Sequence, residues 1–273
     1  MTSRNAPCSC GSGKRFKHCC GHAGLMMNPS DNIYQKNGCL LDKYSGVAMK
    51  RFCPQPPGAA SLSKGIAPPG ILVVEDFLGI DKCKDFCDFI VKQQTDRLTA
   101  INEEEFKKSG SVTYRPDSRR VTDTVDLAER HTDMLREVIR GYQHYVTRFF
   151  RTALDTFEQP SVLKYSTGGY YHPHADSEHW DTDTNRWIRV MERDYSLLLY
   201  LNDGYEGGAL EFPNFKWAIQ PKRGMLVSFP SDHRYLHGAA PLISGTRIAV
   251  ASWAKAKNPQ LFDPIAALAS SAD

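Results

Sequence analysis

Apolar positions along the chain change from a helical to a strand-like spacing near residue 161. The helical spacing predicts a long helix over 129–155 whose apolar stripe packs on a sheet, and its apolar positions are Leu135, Val138, Ile139, Tyr142, Val146 and Phe149. A short strand over 71–77 and a helix that begins with Asp81 as its N-cap come earlier. From about Ser161 onward, short apolar strands alternate with glycine turns. Helices before strands predict a mainly β, α+β domain in which helices support one face of a double-stranded β-helix, or jelly-roll.

Composition and charge narrow the range of partners. With 273 residues, 41% of them hydrophobic, the chain is long enough for one large globular domain and short appendages. A net charge of only +3 gives no general electrostatic reason to expect specific nucleic-acid or membrane binding. No apolar run approaches the ~20 residues that span a bilayer, and the first residues lack the apolar core of a secretory signal. We therefore expect a cytoplasmic protein.

Two histidines and an aspartate suggest a metal site. His174 and Asp176 lie two positions apart, and His237 follows in a later segment. Two imidazoles and one carboxylate on one side of an octahedral Fe(II) leave three adjacent positions open, which is the arrangement of non-haem oxygenases. Two rivals remain, because His172 alternates onto the same strand face as His174, and His233 lies four residues before His237. We prefer His174 for its short spacing to the carboxylate.

Arg247 lies ten residues after His237 at the start of an alternating segment. A 2-oxo acid can chelate two open iron positions and leave the third for O2, so its far carboxylate needs a cation. A guanidinium is always charged and pairs bidentately with a carboxylate. Ala249 and Ala251 share the predicted strand face with Arg247 and leave room for a small molecule.

At these residues the chain resembles the prolyl-hydroxylase-like branch of the Fe(II)/2-oxoglutarate dioxygenases. The similarity covers roughly residues 68 to 257, and its motifs are LKYSTGGYYHPHAD (163–176), YSLLLYLN (195–202), EGGALEF (206–212), PKRGMLVSF (221–229) and LHG (236–238). The resemblance implies that His174, Asp176 and His237 bind iron and that Arg247 binds the distal carboxylate of 2-oxoglutarate. Tyr165 and Tyr200 match positions where the family places a tyrosine against the co-substrate, although either is equally well explained as a packed strand residue.

The resemblance also implies a reaction and its cofactors. The family decarboxylates 2-oxoglutarate oxidatively to succinate and CO2 while it hydroxylates a substrate C–H bond. Fe(II), 2-oxoglutarate and O2 are expected, with ascorbate as a further candidate. Collagen-type relatives usually carry lysine where this chain has Arg247, so a collagen-like substrate is not favoured.

A second motif, PCSCGSGKRFKHCCG, occupies residues 7–21. Its four cysteines can give one tetrahedral Zn(II) four thiolates, and metal binding would supply the folding energy of so short a segment; they are Cys8, Cys10, Cys19 and Cys20. The stretch resembles the SEC-C motif at the C-terminus of the SecA translocation ATPase, which implies docking to a ribosomal or other protein partner. His18 could replace a neighbouring cysteine as ligand, and a disulfide-linked or disordered tail is the remaining alternative.

The motifs divide the chain into four predicted parts. They are a zinc-binding motif (1–23), an irregular linker rich in Gly, Pro and Ser (24–67), the dioxygenase domain (68–257) and a C-terminal tail (258–273). Cys83 and Cys87 are four apart on one predicted helix, so we expect them to be reduced, packed thiols.

Two further segments are candidates for substrate contact. Residues 111–120 are polar, basic and turn-prone, and relatives place a loop over the peptide substrate at about this position, so the candidates are Arg115, Arg119 and Arg120. A plain solvent-exposed loop explains them equally well. Residues 177–194 contain Trp180 and Trp187 and are expected to shape the mouth of the pocket.

Three functions remain open. The leading hypothesis is a dioxygenase that hydroxylates a protein, with a prolyl residue of a translation component as the target. The first alternative is hydroxylation of a free amino acid or small metabolite. The second is a non-catalytic adaptor, which the complete set of ligands and the co-substrate arginine oppose.

Overall fold

The computed structural model describes residues 67–101, 108–111, 114–117, 119–181 and 183–258. The predicted zinc motif with Cys8, Cys10, Cys19 and Cys20, nearly all of the linker and nearly all of the C-terminal tail lie outside these residues. No helix in the described part of the chain has the length and apolar character needed to cross a bilayer.

Two layers of antiparallel strands and a few helices make up the described part. Helix α1 is Ile80–Ile90, and a later helical stretch consists of a 3₁₀ turn (Ala128–Arg130), α2 (His131–Gly141), a π-helical turn (Tyr142–Val146) and α3 (Thr147–Phe149). The strands are β1 (Leu72–Val74), β2 (Thr95–Arg97), β3 (Thr99–Ile101), β4 (Tyr114–Pro116), β5 (Arg120–Val121), β6 (Asp123–Val125), β7 (Leu154–Phe157), β8 (Ser161–Tyr165), β9 (Tyr170–His174), β10 (Glu178–Asp181), β11 (Arg186–Arg189), β12 (Tyr195–Tyr200), β13 (Glu206–Gly207), β14 (Leu210–Phe212), β15 (Trp217–Ile219), β16 (Leu226–Pro230), β17 (His237–Ala239), β18 (Leu242–Ser244) and β19 (Arg247–Ala256).

Two sheets form the body of the domain. The major sheet has the order β1-β16-β12-β19-β8-β6-β2, with β7 also paired to β19, and the minor sheet has the order β15-β14-β17-β9-β5. Tyr200 and Ala249 of the major sheet belong to one buried cluster with Phe212 of the minor sheet. The predicted jelly-roll is therefore confirmed, and the interior between its two sheets is where a site can be enclosed.

The opposite face of the major sheet carries the helices. Phe86 of α1 and Val138 of α2 share a buried cluster with Leu197, Leu199 and Val250 of the sheet. Successive strand residues point to opposite faces, so β12 and β19 each supply one face to the helices and the other to the interior. The predicted support of one sheet face by helices is confirmed.

The predicted long helix is interrupted and ends early. The π-helical turn Tyr142–Val146 breaks the regular spacing, and the last helical residue is Phe149 rather than 155. Arg151 has a positive φ of 50°, and β7 follows because Leu154–Phe157 pairs with β19. Residues 150–155 were predicted wrongly because a sheet partner far along the chain outweighs local helical spacing.

The start of α1 also differs from the prediction. The helix begins at Ile80 with Gly79 as N-cap and without a side-chain cap, so Asp81 lies in the first turn, where its negative charge still favours the helix dipole. Cys83 is buried and Cys87 half-buried in α1, both are free thiols, and burial raises the pKa of each to about 11.

Residues between α1 and α2 form strands that the polarity pattern hides. The segment 111–120 contains β4 and part of β5, although we predicted a loop. Strand β5 extends the minor sheet beside β9, while β2 and β6 extend the major sheet. These edge strands are short and polar, so they lack the alternating apolar pattern from which a strand is predicted.

We expect Gly224→Ala to destabilise the domain strongly. Gly224 is the third residue of a turn closed by a hydrogen bond from the Met225 N–H to the Lys222 carbonyl, and its φ is +78°. An added Cβ would lie 2.2 Å from the Leu78 carbonyl oxygen. The strained φ costs about 1–3 kcal/mol, and the clash adds to it. Urea unfolding of the purified protein would measure the loss.

The control for this turn is Gly204→Ala. Gly204 has a nearly equal φ of +80°, but nothing lies within 4 Å of an added Cβ. This variant should therefore lose only the conformational part. Equal losses of unfolding free energy in the two variants would show that the contact with Leu78 is unimportant.

Candidate active site

The structure brings His174, Asp176 and His237 together at the open end of the minor sheet. His174 is the last residue of β9, His237 is the first residue of β17, and the two are direct partners in the ladder between these strands. Asp176 follows β9 by two residues. One ligand atom from each residue lies within 4.8 Å of the others, and this is the group able to hold a metal ion among the described residues.

The hydrogen bonds of the two imidazoles fit a metal site. His174 Nδ1 lies 2.9 Å from the His172 carbonyl oxygen, and His237 Nδ1 lies 3.2 Å from the Tyr235 carbonyl oxygen. A carbonyl oxygen can only accept, so each Nδ1 carries a proton, and in the neutral tautomer each Nε2 offers a lone pair to a metal. His174 Nε2 lies 3.4 Å from Asp176 Oδ1, and His237 Nε2 lies 3.4 Å from Asp176 Oδ2. The donor set therefore suits a divalent metal bound by two Nε2 atoms and one carboxylate.

Electrostatics keep the buried ligands deprotonated. Burial lowers the pKa of His237 to about 4, so its imidazole is neutral at pH 7. Burial alone would raise the pKa of Asp176, but His237, His174 and a hydrogen bond from Ser196 more than offset it and lower this pKa. A metal ion would not have to displace a proton from either group.

A β-bulge in β9 separates His172 from His174. The step from His237 to Ala239 on β17 faces the longer step from His174 to Tyr171 on β9, so β9 has an extra residue there. The strict alternation that would place His172 beside His174 is broken, and Tyr171 instead stacks on the His174 ring with centroids 3.8 Å apart. The His172 N–H donates to the Arg119 carbonyl oxygen at 2.7 Å, and burial lowers the pKa of its imidazole despite the nearby Asp117 carboxylate.

The second rival, His233, has another partner. Its Nδ1 lies 2.5 Å from Glu178 Oε2, and its ring stacks on Trp187 with centroids 5.0 Å apart. Trp187 in turn meets Trp180 edge to face at 5.8 Å. The hairpin β10–β11 is thus fixed against the turn that precedes His237, and both tryptophans are half-buried.

Arg247 is a buried cation at the start of β19. Its side chain is 3% exposed, Nη1 donates to the Gly208 carbonyl oxygen at 2.6 Å, and Nε has no partner. No carboxylate in the described part of the chain lies within ion-pair distance of it. A buried charge without a counter-ion is costly, so this site fits an anionic ligand such as the distal carboxylate of 2-oxoglutarate.

Three tyrosines surround Arg247. The guanidinium carbon lies 3.9 Å from the Tyr165 ring centroid and 6.0 Å from that of Tyr200. Tyr165 is the ladder partner of Arg247 between β8 and β19. Tyr205, which sequence reasoning missed, has a buried hydroxyl without a partner, and burial raises its pKa to about 12 despite the nearby charge of Arg247. Tyr205 lies in a glycine-rich turn, so no strand pattern in the sequence indicated that it would lie near Arg247.

The structure places the three predicted substrate-contact arginines in different surroundings. Arg120 Nη1 donates to the Tyr171 hydroxyl at 3.2 Å, and Tyr171 stacks on His174, so Arg120 is connected to the metal site through one side chain. Arg119 is exposed and forms a bidentate pair with Asp117. Arg115 belongs to β4, and its side chain lies outside what the structure describes.

Comparison with protein families gives two matches. Residues 160–255 match the sequence model of the 2OG-Fe(II) oxygenase superfamily, and residues 4–21 match the SEC-C motif. The first match runs from β8 to the end of β19 and includes the three candidate ligands and Arg247. Residues 160–255 are a 2OG-Fe(II) oxygenase domain, and the protein is a 2-oxoglutarate-dependent dioxygenase that uses Fe(II).

Solved structures with a similar chain path are prolyl hydroxylases. A viral collagen prolyl hydroxylase from Paramecium bursaria Chlorella virus-1, in its 2OG complex, has 18% identity and a TM-score of 0.45 over 68% of this chain and 95% of the other. A Pseudomonas putida prolyl-4-hydroxylase has 18% identity and a TM-score of 0.45 over 70% and 94%. A Trichoplax adhaerens prolyl hydroxylase with a hypoxia inducible factor peptide has 17% and 0.47 over 83% and 94%. The comparison with curated proteins gave no match.

Proposed function

We propose that this dioxygenase hydroxylates a protein, at a prolyl residue of a translation-associated target, while 2-oxoglutarate is converted to succinate and CO2. His174, Asp176 and His237 bind Fe(II), and Arg247 binds the distal carboxylate of the co-substrate. The observation that carries the proposal is the pairing of a three-ligand metal site with a buried arginine that has no carboxylate partner among the described residues.

Each side chain has a definable task in this reaction. When bound, Fe(II) and 2-oxoglutarate supply the chemistry that inserts one oxygen atom of O2 into a substrate C–H bond. The two Nε2 atoms and the Asp176 carboxylate would hold the metal as three ligands, so its remaining positions would be available to the reactants. Arg247 orients the co-substrate by its far end, with Tyr165 stacked on the guanidinium and Tyr200 buried beside it.

A macromolecular substrate is supported by apolar side chains at the end of the hairpin β10–β11. The N–H groups of Val190 and Met191 both donate to the Ser177 carbonyl, which is one residue from Asp176. Their side chains are 49% and 41% exposed, and Ile188 is exposed beside them. Exposed apolar surface next to a reaction site fits a partner that covers it more readily than a small polar metabolite.

The N-terminal match supports the choice of target. A SEC-C motif covers residues 4–21, and we propose that Cys8, Cys10, Cys19 and Cys20 bind Zn(II) and dock the enzyme to the ribosome or a translation factor. Such a target places the reaction in the cytoplasm. The four predicted chain segments, 1–23, 24–67, 68–257 and 258–273, belong to the same proposal, and ascorbate is its proposed reductant.

The test is a search for oxygenated proteins. Purified full-length protein with Fe(II) and 2-oxoglutarate is incubated with extract of the source organism under ¹⁸O2, and proteins that gain one heavy oxygen are identified by mass spectrometry. We expect a prolyl residue of a translation component to be labelled, and His174→Ala to give no label. Labelling of a free amino acid alone, at full proteome coverage, would contradict a protein substrate.

A surface variant tests the hairpin in the same assay. We expect Val190→Ser with Met191→Ser to lower the rate of protein labelling about tenfold, which corresponds to about 1.4 kcal/mol of lost apolar contact. Ile80→Ser is the control, because Ile80 is also apolar and, at 65%, even more exposed, but lies at the start of α1 on the helical side of the major sheet. Equal labelling by the two variants would remove the hairpin from the substrate surface.

A further inference from the structure

Ser196 is the one serine of β12, whose other residues are leucines and tyrosines. The strand reads YSLLLY, and the Ser196 side chain is completely buried. Leu197 and Leu199 of the same strand contact the helices. Because side chains alternate along a strand, Ser196 faces the other way, toward the interior between the sheets. A buried hydroxyl needs a hydrogen-bond partner, and the partner of Ser196 is the candidate metal ligand.

Ser196 binds the carboxylate of Asp176 directly. Its Oγ lies 2.6 Å from Asp176 Oδ2, which is the short distance of a hydrogen bond to an ionised oxygen. Ser196 Oγ also lies 2.8 Å from Ser231 Oγ. An ionised carboxylate only accepts, so Ser196 donates to Asp176 and accepts from Ser231. The two hydroxyls therefore form an ordered chain that ends on Oδ2, and such chains strengthen each bond in them.

The backbone on which Asp176 stands is fixed by the same loop. The Ser231 carbonyl oxygen accepts from the N–H groups of Asp176 and Ser177 and from Ser177 Oγ, each at 3.0 Å. Arg193 Nη1 donates to the Asp176 carbonyl oxygen at 3.4 Å. Because the main chain of Asp176 is held on both sides, its carboxylate can move only by rotation about the side-chain bonds. The hydrogen bond from Ser196 restricts this rotation.

We propose that Ser196 is a positioning residue that holds Oδ2 of Asp176, so that the carboxylate presents Oδ1 to the metal and binds through that single oxygen. Ser231 orients the Ser196 hydroxyl for this purpose. Single-oxygen binding keeps a further metal position open for O2 or co-substrate. The inference rests on the proposed iron site and adds the residue that sets how its carboxylate binds.

The chain offers matched variants for a test. Ser196→Thr and Ser196→Val have nearly equal volume, and only the first keeps a hydroxyl. Ser228→Ala is the control for loss of a buried serine, since Ser228 is also completely buried, pairs across the ladder with Leu197, and has no hydrogen-bond partner for its Oγ in the described structure.

The experiment measures the affinity of each full-length variant for Co(II), an O2-stable probe of the Fe(II) site, by calorimetry, together with the visible absorption of the bound Co(II). We expect Ser196→Ala and Ser196→Val to bind Co(II) about 10–100-fold more weakly and with an altered spectrum. Ser196→Thr and Ser228→Ala should stay within about threefold of wild type. Melting temperatures without metal separate misfolding from lost positioning.

Each outcome decides the matter. Wild-type affinity and an unchanged spectrum in folded Ser196→Ala or Ser196→Val would overturn the positioning role. If Ser196→Ala does not fold, the Thr and Val pair gives the answer, because the two variants share the added methyl group. A wild-type protein that binds no Co(II) would overturn the proposed iron site itself, which is a different failure.

Discussion

Asp176→Ala is expected to reduce 2-oxoglutarate turnover by far more than 100-fold, because changes in residues that merely support metal ligands already cost about 10–100-fold. The substitution removes the one anionic ligand and leaves two neutral imidazoles to hold a divalent ion. The measurement is succinate formation by the Fe(II)-loaded protein, beside the metal affinity of the same samples.

The matched control for this loss is His172→Ala. His172 was a rival ligand by sequence alternation, but the bulge in β9 turns it toward Asp117 and away from the metal site. We expect this variant to keep its metal affinity and most of its 2-oxoglutarate turnover. A loss as large as that of Asp176→Ala would mean that the ligand set has been chosen wrongly.

Arg247→Met is expected to weaken co-substrate binding greatly and to stabilise the ligand-free protein. Removal of one partner of a buried ion pair costs about 3–5 kcal/mol, so the dissociation constant for 2-oxoglutarate should rise by roughly two to four orders of magnitude. Without co-substrate, Arg247 is a buried charge with no carboxylate beside it in the described residues, and methionine removes that cost. Anaerobic titration of the metal-loaded variant and thermal unfolding of the ligand-free variant measure the two effects.

Arg234→Met is the control that separates the removal of a buried charge without a carboxylate partner from the general effect of replacing a buried arginine. Among the described residues, Arg234 is the other deeply buried arginine, at 2% exposure, but it forms a bidentate pair with Asp232. Its loss leaves Asp232 buried without that partner, so this variant should unfold at a lower temperature. If Arg247→Met is destabilised to the same degree, Arg247 is a structural residue and the anion site is wrong.

The sequence was enough to predict the candidate site because its chemistry depends on the types of residue and on the alternation of side chains along a strand. Arg247 was placed on a strand face with Ala249, and the structure has that strand and that alternation, with Ala249 in the interior cluster. The assignment of His174 over His172 rested on spacing alone. What separates the two is a bulge that forms only when β17 pairs with β9, at Gly238, where an added Cβ would lie 2.8 Å from the Tyr171 carbonyl oxygen.

The sequence analysis missed site residues whose contacts join segments that are far apart in the chain. Tyr205 lies in a glycine turn and meets Arg247 only when the sheets have formed, and Ser196 meets Asp176 across 20 residues of chain that include a whole hairpin. The isolated serine in an apolar strand was a signal that could have been used. The strands β2 to β6 and the early end of the long helix depend on sheet partners that no local pattern specifies.

The two halves of the site stand on different sheets. The candidate ligands His174 and His237 belong to the ladder of β9 and β17 in the minor sheet, whereas Arg247 and Tyr165 belong to the ladder of β19 and β8 in the major sheet. In the proposed binding mode, a co-substrate held at one end by iron and at the other by Arg247 would link the two sheets. Amide hydrogen exchange at this end of the barrel should slow on both sheets when metal and 2-oxoglutarate are both bound, and on the minor sheet alone when only metal is present.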